Sequence, residues 1–343
     1  MLRVQLATLL GALLAAAGFI LLVDPYNVVP FSPPATRPIM DINQRYFYPG
    51  VIRSGRYDSF VLGTSTSRLL DPRELDQAFG GRFANLAMNA ATAWEQVQIA
   101  RLFLRLEGPP RTLILGVDAP WCDPDAAERS TTFRGFPEWM YDDNQWKDLL
   151  YLLNGKTLEI AGRLVGYWLG LRPPRMREDG YEIFVPPEAQ YDLARARQHI
   201  WEGGPARRDP VVPPVVLSEA QRAALKFPAL DWLDAYVGDL GSRSKVIISA
   251  MPVHISAQPL IGSPEAAVER ECLSRIGAIA QRHGALMIDW RIASPLTSED
   301  ANYWDRLHFR LPIASRIIQN LAEAARTQED AADGTYKILR APM

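Results

Sequence analysis

Cysteine and histidine are scarce in this chain of 343 residues, at two and four. The two cysteines, Cys122 and Cys272, stand 150 positions apart. No cluster of Cys, His and acidic residues has the spacing of a metal site, and no cofactor is expected. The cysteines read as two buried thiols, with one disulfide as the alternative in an oxidising compartment. Charge of one sign is also missing: 37 Lys and Arg stand against 39 Asp and Glu, mixed along the chain. Without a basic block or interleaved basic and aromatic residues, the electrostatic footprint of a nucleic-acid binder is absent. There is no internal repeat. What is present, 48% apolar and 22% charged residues, is the balance of a folded globular protein of one large domain or two ordinary ones.

The first 23 residues set the next constraint. From Val4 to Val23 the chain carries no charge, and only Gln5 and Thr8 are clearly polar. Twenty helical residues at about 1.5 Å each span about 30 Å, the thickness of a bilayer's hydrocarbon core. A cleavable signal peptide would have a shorter apolar region ending at small residues. Here Ala15, Ala16 and Ala17 are followed by further apolar sequence, Phe19 to Val23. The expectation is an uncleaved anchor over residues 1–23 in the inner membrane. Arg3 before the span and Asp24 after it place the N-terminus in the cytoplasm and the rest of the chain in the periplasm.

Residues 24–54, rich in proline and aromatics, read as an extended linker from the membrane onto the domain. Strands and helices then alternate. "SFVLG" at 59–63, "RFANLAM" and "RTLILGVD" are strand candidates. Helices are expected from Pro72 to Phe79, capped by Asp71, and from Ala93 to Leu106. The alternation resumes with a helix over Leu230–Leu240, the strand "SKVIISAMP", a helix over Glu265–His283, the strand "ALMIDW" and a helix over Ile313–Ala325. This pattern predicts an α/β fold, a three-layer sandwich with a parallel sheet of about five strands, over residues 55–326. Ligands bind such sheets beyond the carboxyl ends of their strands. The pattern lapses over residues 119–228, which read as an insertion, partly helical around Gln145–Gly170. A lid over the substrate and a structural buttress are both open readings. Residues 327–343 read as a frayed tail.

Two segments carry candidate chemistry. Ser65 stands two residues past the first strand candidate, in Gly63-Thr64-Ser65-Thr66-Ser67-Arg68, where a tight turn lifts its hydroxyl to the sheet's carboxyl edge. A serine hydroxyl is a weak nucleophile until a base takes its proton. The base is offered by Tyr303-Trp304-Asp305-Arg306-Leu307-His308-Phe309, between the last strand and the last helix. Asp305 and His308 are three apart, so one helical turn would set them side by side, the carboxylate orienting the imidazole as in a catalytic triad. Arg68 is a candidate to hold an anionic substrate group, or else a salt bridge anchoring the first helix. His254, just past the "VIISA" strand, is a candidate substrate contact. Asp289 reads as structural. The acids Asp118, Asp123 and Asp125 read as a solvated loop rather than a glycosidase pair.

A Gly-x-Ser turn after the first strand, an Asn-bearing loop after the second and a C-terminal Asp-x-x-His together resemble the SGNH/GDSL hydrolase superfamily, which has a flavodoxin-like sheet. More narrowly, the chain is similar to membrane-anchored bacterial members encoded with surface-polysaccharide machinery. Those often read "vilGSSr" in the first block and "yxDxxHf" in the last. The resemblance covers roughly residues 55–120 and 228–325. It implies Ser65 as nucleophile, His308 as base and Asp305 as its orienter, with the Ser65 N–H in the oxyanion hole. The family's second block supplies a Gly N–H, but here it reads Asn85-Leu86-Ala87-Met88-Asn89-Ala90. That leaves a backbone N–H near Met88–Asn89, or the Asn89 amide, to serve. The third block, Gly116-Val117-Asp118, has Asp118 in place of the oxyanion Asn, and a carboxylate there repels a developing oxyanion unless it is protonated. The implied function is serine-dependent ester chemistry outside the cytoplasm, on a carbohydrate polymer or other acylated substrate, with a membrane acyltransferase as an expected partner. Release to water would make the chain an esterase, and release to a sugar hydroxyl an O-acyltransferase. A degenerate, non-catalytic scaffold in an export or acylation complex is the alternative that Asp118 and the missing Gly favour. A lipase would instead require an apolar groove facing the anchor.

Overall fold

The computed structural model describes residues 1–340, leaving aside 205 and 207. Helix α1, Leu2–Val23, is a single apolar rod, long and apolar enough to cross a membrane. It stops at Asp24, which is in the left-handed conformation (φ 43°). The Asp24 carboxylate accepts the N–H groups of Val28 and Val29, both at 3.0 Å. Arg37 Nε donates to the carbonyls of Val23 and Asp24, at 3.2 and 2.9 Å, and closes the helix end.

Residues 24–54 do not form an extended linker. Prolines prevent a long helix there, yet Tyr26, Val28, Val29, Ile39, Met40 and Phe47 are buried in the main core. The segment ends in helix α2, Tyr48–Arg53, with Pro49 in its first turn, where a missing N–H costs nothing. The apolar side chains folded this stretch into the domain, and the prolines only shaped its path.

The sheet is mixed. Five strands are parallel: β1 Ser59–Leu62, β2 Phe83–Asn85, β3 Thr112–Val117, β4 Lys245–Ala250 and β5 Leu286–Asp289. They lie in the order β2-β1-β3-β4-β5. A sixth, β6 Lys337–Ile338, pairs antiparallel with β5. It lies in the stretch expected to be a tail, where Tyr336 is buried and Leu339 N–H bonds Met287 O at 2.9 Å. Alternation along each strand explains the layers. Phe60, Leu62, Leu113, Leu115 and Ile248 face one core, while Val61, Ile114, Ile247 and Ile288 face the other. Helices α4 Ala93–Glu107, α9 Ala229–Leu240 and α10 Pro264–Arg282 cover the first face. The second is covered by α3 Pro72–Phe79 and α11 Leu311–Thr327. Strands buried on both faces are apolar throughout, which is why they are visible as short continuous runs.

The insertion carries α5 Gln145–Leu152, α6 Gly155–Trp168, α7 Leu193–Trp201 and α8 Glu219–Ala224. Its first turn is fixed covalently. Cys122 and Cys272 form a disulfide, their Cα atoms 5.8 Å apart, so the expectation of two buried thiols is overturned. Cys122 follows β3 and Cys272 lies on the buried face of α10, which covers that end of the sheet. Sequence spacing does not encode which helix lies over which strand. Closing so long a loop stabilises the fold by about 2–4 kcal/mol, chiefly by restricting the unfolded chain.

Candidate active site

The strand order changes direction at β1: β2 lies on one side of it and β3 on the other. Loops leaving β1 and β3 therefore diverge at their carboxyl ends and leave a crevice. Ser65 occupies it. Gly63 makes the exit (φ 150°), and a Cβ there would lie 2.5 Å from Ser67 Oγ. On β3, a Cβ at Gly116 would lie 2.0 Å from the same oxygen, so both glycines are needed to seat the serine turn. Ser65 begins a 3₁₀ turn, Ser65–Ser67, as its first residue, so its N–H has no acceptor within the turn.

His308 reaches Ser65 from the loop before α11. Tyr303 and Phe309 pair as a bridge across that loop, and Trp304 N–H bonds His308 O at 2.9 Å. Asp305 and His308 do not share a helical turn, as their spacing suggested. Asp305 Oδ1 instead accepts the N–H groups of Leu307 (2.7 Å) and His308 (2.9 Å), folding the loop around the carboxylate. Its Oδ2 lies 2.8 Å from His308 Nδ1, and His308 Nε2 lies 3.0 Å from Ser65 Oγ. A carboxylate only accepts, so Nδ1 carries the imidazole proton and Nε2 faces the hydroxyl as acceptor. Burial pushes the Asp305 pKa up, but the His308 hydrogen bond and the two backbone N–H groups outweigh it and hold the group below the usual carboxylate value. The orienting acid stays charged.

The second block is placed by the sheet. Leu86 N–H bonds Val61 O at 2.8 Å and Met88 N–H bonds Gly63 O at 3.0 Å, extending the β1–β2 ladder. The Met88 N–H is thereby spent and cannot serve an oxyanion. Asn89 comes next. Its Oδ1 accepts from Arg68 Nη1 at 2.7 Å, and since arginine only donates, this fixes the amide with Nδ2 turned away from Arg68. Arg68 is not a substrate cation. Its side chain is 2% exposed and ion-paired with the equally buried Glu182 of the insertion. It lies over the Phe184 ring at 4.7 Å, and that ring meets His308 edge-on at 5.2 Å. The role of Arg68 is to hold Asn89.

Asp118 ends the third block beneath the serine turn. Its Oδ2 accepts from Thr64 Oγ1 and, at 3.4 Å, from Thr66 Oγ1, while Oδ1 is sealed from solvent without a partner. Burial raises its pKa, against the lowering effect of the threonine hydroxyl and Arg291. The direction is towards a neutral acid, which would not repel an oxyanion. Asp289 is structural: it accepts the Arg291 N–H at 2.7 Å at the end of β5.

His254 does not face the crevice. It is fully buried, edge-on to Trp201 and Tyr303 at 5.3 Å each, and its backbone N–H bonds Arg306 O at 3.0 Å. It braces the histidine loop from below. The insertion braces it from outside. Arg197 Nε and Trp201 Nε1 donate to Asp300 at 2.8 and 3.0 Å, the Tyr191 hydroxyl donates to Tyr303 O at 3.2 Å, and Arg310 Nε donates to Glu188 at 2.9 Å. The buttress reading of the insertion is thus visible around the site. A cleft of about 300 Å³, lined by Pro186, Gln190, Arg195, His199, Trp304 and Asp305, lies between α7 and that loop. Glu182, Phe184 and Asp300 were not singled out in the sequence. Nothing in their local pattern separates them from other acids and aromatics of the same stretch.

No family model matches the chain, and no curated protein matches it. Among solved structures, the chain is similar to a protein of Bacteroides fragilis NCTC 9343 provisionally named an acylhydrolase. The two are 10% identical, with a TM-score of 0.35, over 79% of this chain and 86% of that one. At that distance the likeness carries no argument about activity, and the functional reading rests on the geometry of Ser65, His308 and Asp305.

Proposed function

We propose that this chain performs serine-dependent ester chemistry through an acyl-Ser65 intermediate. The single observation that carries the reading is the continuous line Ser65 Oγ, His308, Asp305, with steps of 3.0 and 2.8 Å. Ser65 Oγ attacks the ester carbonyl carbon as His308 Nε2 takes its proton, and Asp305 holds the imidazolium. The carbonyl oxygen becomes an oxyanion facing the Ser65 N–H and the Asn89 amide. Collapse breaks the ester C–O bond. His308 returns its proton to the leaving alkoxide, and the acyl group remains on Ser65. A second acceptor, water or a sugar hydroxyl, gives its proton to His308 and attacks the acyl carbon. Ser65 leaves and regains a proton, completing either an esterase or an O-acyltransferase cycle.

The substrate we infer is an extracytoplasmic acylated polysaccharide, with a membrane acyltransferase as the donor's source. The family resemblance of the two motif blocks, the apolar N-terminal helix and the Cys122–Cys272 disulfide, a bond that persists in oxidising compartments, support this. A non-catalytic scaffold is the second reading, favoured by Asp118 where the family's oxyanion amide would stand. The test is labelling of the full-length protein in detergent with a fluorophosphonate probe. We expect labelling that disappears in Ser65→Ala. A folded protein that does not label would sink the enzyme reading and leave the scaffold.

A further inference from the structure

Helix α1 is not exposed along its whole length. Leu2 to Ala15 stand clear of the protein, whereas the last two turns, Ala16 to Val23, are partly or fully covered except at Leu22, with Ile20 and Val23 buried. The cover comes from α5 and α6 of the insertion, which pack directly on α1. The free part is 14 residues (2 to 15), about 21 Å of helix at 1.5 Å per residue. A bilayer's hydrocarbon core is about 30 Å thick. The free rod is therefore about 9 Å too short to cross by itself, and its covered turns must also lie at membrane depth.

That requires large apolar side chains on the outer side of the cover, and α5 and the turn leaving α6 carry them, whereas the body of α6 exposes Lys156 and Glu159. Trp146, Leu150 and Tyr151 on α5 are 66%, 77% and 55% exposed. Leu169 and Leu171, in the turn leaving α6, are 67% and 77% exposed. Phe31, just past the end of α1, is 60% exposed, with its ring 6.4 Å from that of Trp146. Large apolar side chains exposed together mark a binding surface, and tryptophan and tyrosine at the rim of an apolar span are the residues of a membrane interface.

We propose that the exposed apolar face of α5, the turn after α6 and Phe31 is a collar immersed in the outer boundary of the same membrane that α1 crosses. Its partner is the lipid surface, and the immersion, about 9 Å, lies within the roughly 5–10 Å depth of interfacial helices. The proposal rests on α1 being retained and crossing the bilayer. It does not depend on the chemistry at Ser65.

The test uses the full chain in nanodiscs, with its intact mass confirming that α1 is retained. Leu150→Cys and Leu171→Cys, and Val212→Cys as an exposed control away from the collar, are each labelled with an environment-sensitive fluorophore. Thermal melts confirm that each variant is folded. Lipids carrying a quencher near the headgroup boundary are expected to quench positions 150 and 171 about twofold or more over position 212, with a blue shift in emission. Quenching no greater than at 212, with intact mass and melt normal, would overturn the collar. Protection of these positions only in native membranes would also overturn it, assigning the face to a protein partner.

Discussion

Two Ser–His–Asp sets lie at the carboxyl edge of this sheet, and comparing them shows what makes one a candidate catalyst. In the first, His308 joins Ser65 and Asp305; in the second, His254 joins Ser256, at 2.9 Å, and Asp300, at 3.2 Å. Both imidazoles meet aromatic rings edge-on. The sets differ in how each acid is used. Asp305 spends its charge on His308 and on the two amides that shape the loop. Asp300 is shared with Arg197 and Trp201, and it lies off the line of a full hydrogen bond to His254 Nε2. His254 Nδ1 is also occupied by the Ser256 N–H at 3.1 Å, as a cap on a local turn. Burial pushes the His254 pKa down, against the pull of Asp300, and makes it a poorer base. Finally, His308 keeps 20% of its side chain exposed, whereas His254 keeps none. Proximity of three residue types is not enough; a substrate must reach the serine, and the acid must be free to serve the histidine.

The contrast can be broken most strongly at the acids. Asp305→Asn should lower turnover of an activated ester roughly 10⁴-fold, as expected when an orienting acid is lost, with little change in melting temperature. Asp300→Asn should do the reverse, costing about 0.5–1.5 kcal/mol of stability through weakened bonds to Arg197 and Trp201 while labelling at Ser65 persists. If the two variants behave alike, the assignment of roles fails. Next in size is Asn89→Ala, which should cost about 10²–10³ in kcat with little change in KM, the effect expected of the oxyanion donor proposed for its amide. An unchanged kcat would remove Asn89 from the site.

The smallest effect is a pH dependence. His254 titrates at a lower pH folded than unfolded, so below 6.5, its ordinary value, the unfolded chain takes up a proton that the folded chain refuses. The stability attached to neutral His254 is present above that pH and is lost as the pH falls through it. Melting temperatures of the parent should drop more steeply between pH 7.5 and pH 5 than those of His254→Gln. Parallel curves would show that His254 carries a proton in the fold.

Much of this was legible in the chain because it is local. Apolar runs marked the five parallel strands, Asp71-Pro72 marked the start of α3, and Ser65 and the Asp305–His308 pair stood at strand exits. Other features were not, because they depend on which distant segments meet. Asp305 and His308 were expected on a helical turn, yet an acid that caps its own loop does the same work without one. Arg68 was open between a substrate cation and a salt bridge, and the partner that decides for the salt bridge, Glu182, lies 114 residues away. The disulfide, the burial of His254 and the bracing by the insertion are likewise facts of topology. Proline content was misleading over 24–54, since it records what the backbone cannot do and not where the side chains go.

That folded segment has a mechanical consequence. A free linker of 31 residues (24 to 54) would let its ends wander about 30 Å apart on average. Here Arg45 is locked in a buried pair with Glu95 and donates to Asn89 O at 3.2 Å, and the Tyr48 hydroxyl donates to Ala87 O at 2.9 Å. The stretch leaving α1 is thus bonded to the loop that carries Asn89. With α1 in a bilayer there is no leash: the crevice is held at one height and one tilt above the lipid. Whatever substrate Ser65 takes must then reach that height, which makes the geometry of its delivery, and not diffusion of the domain, the selector of what Ser65 meets.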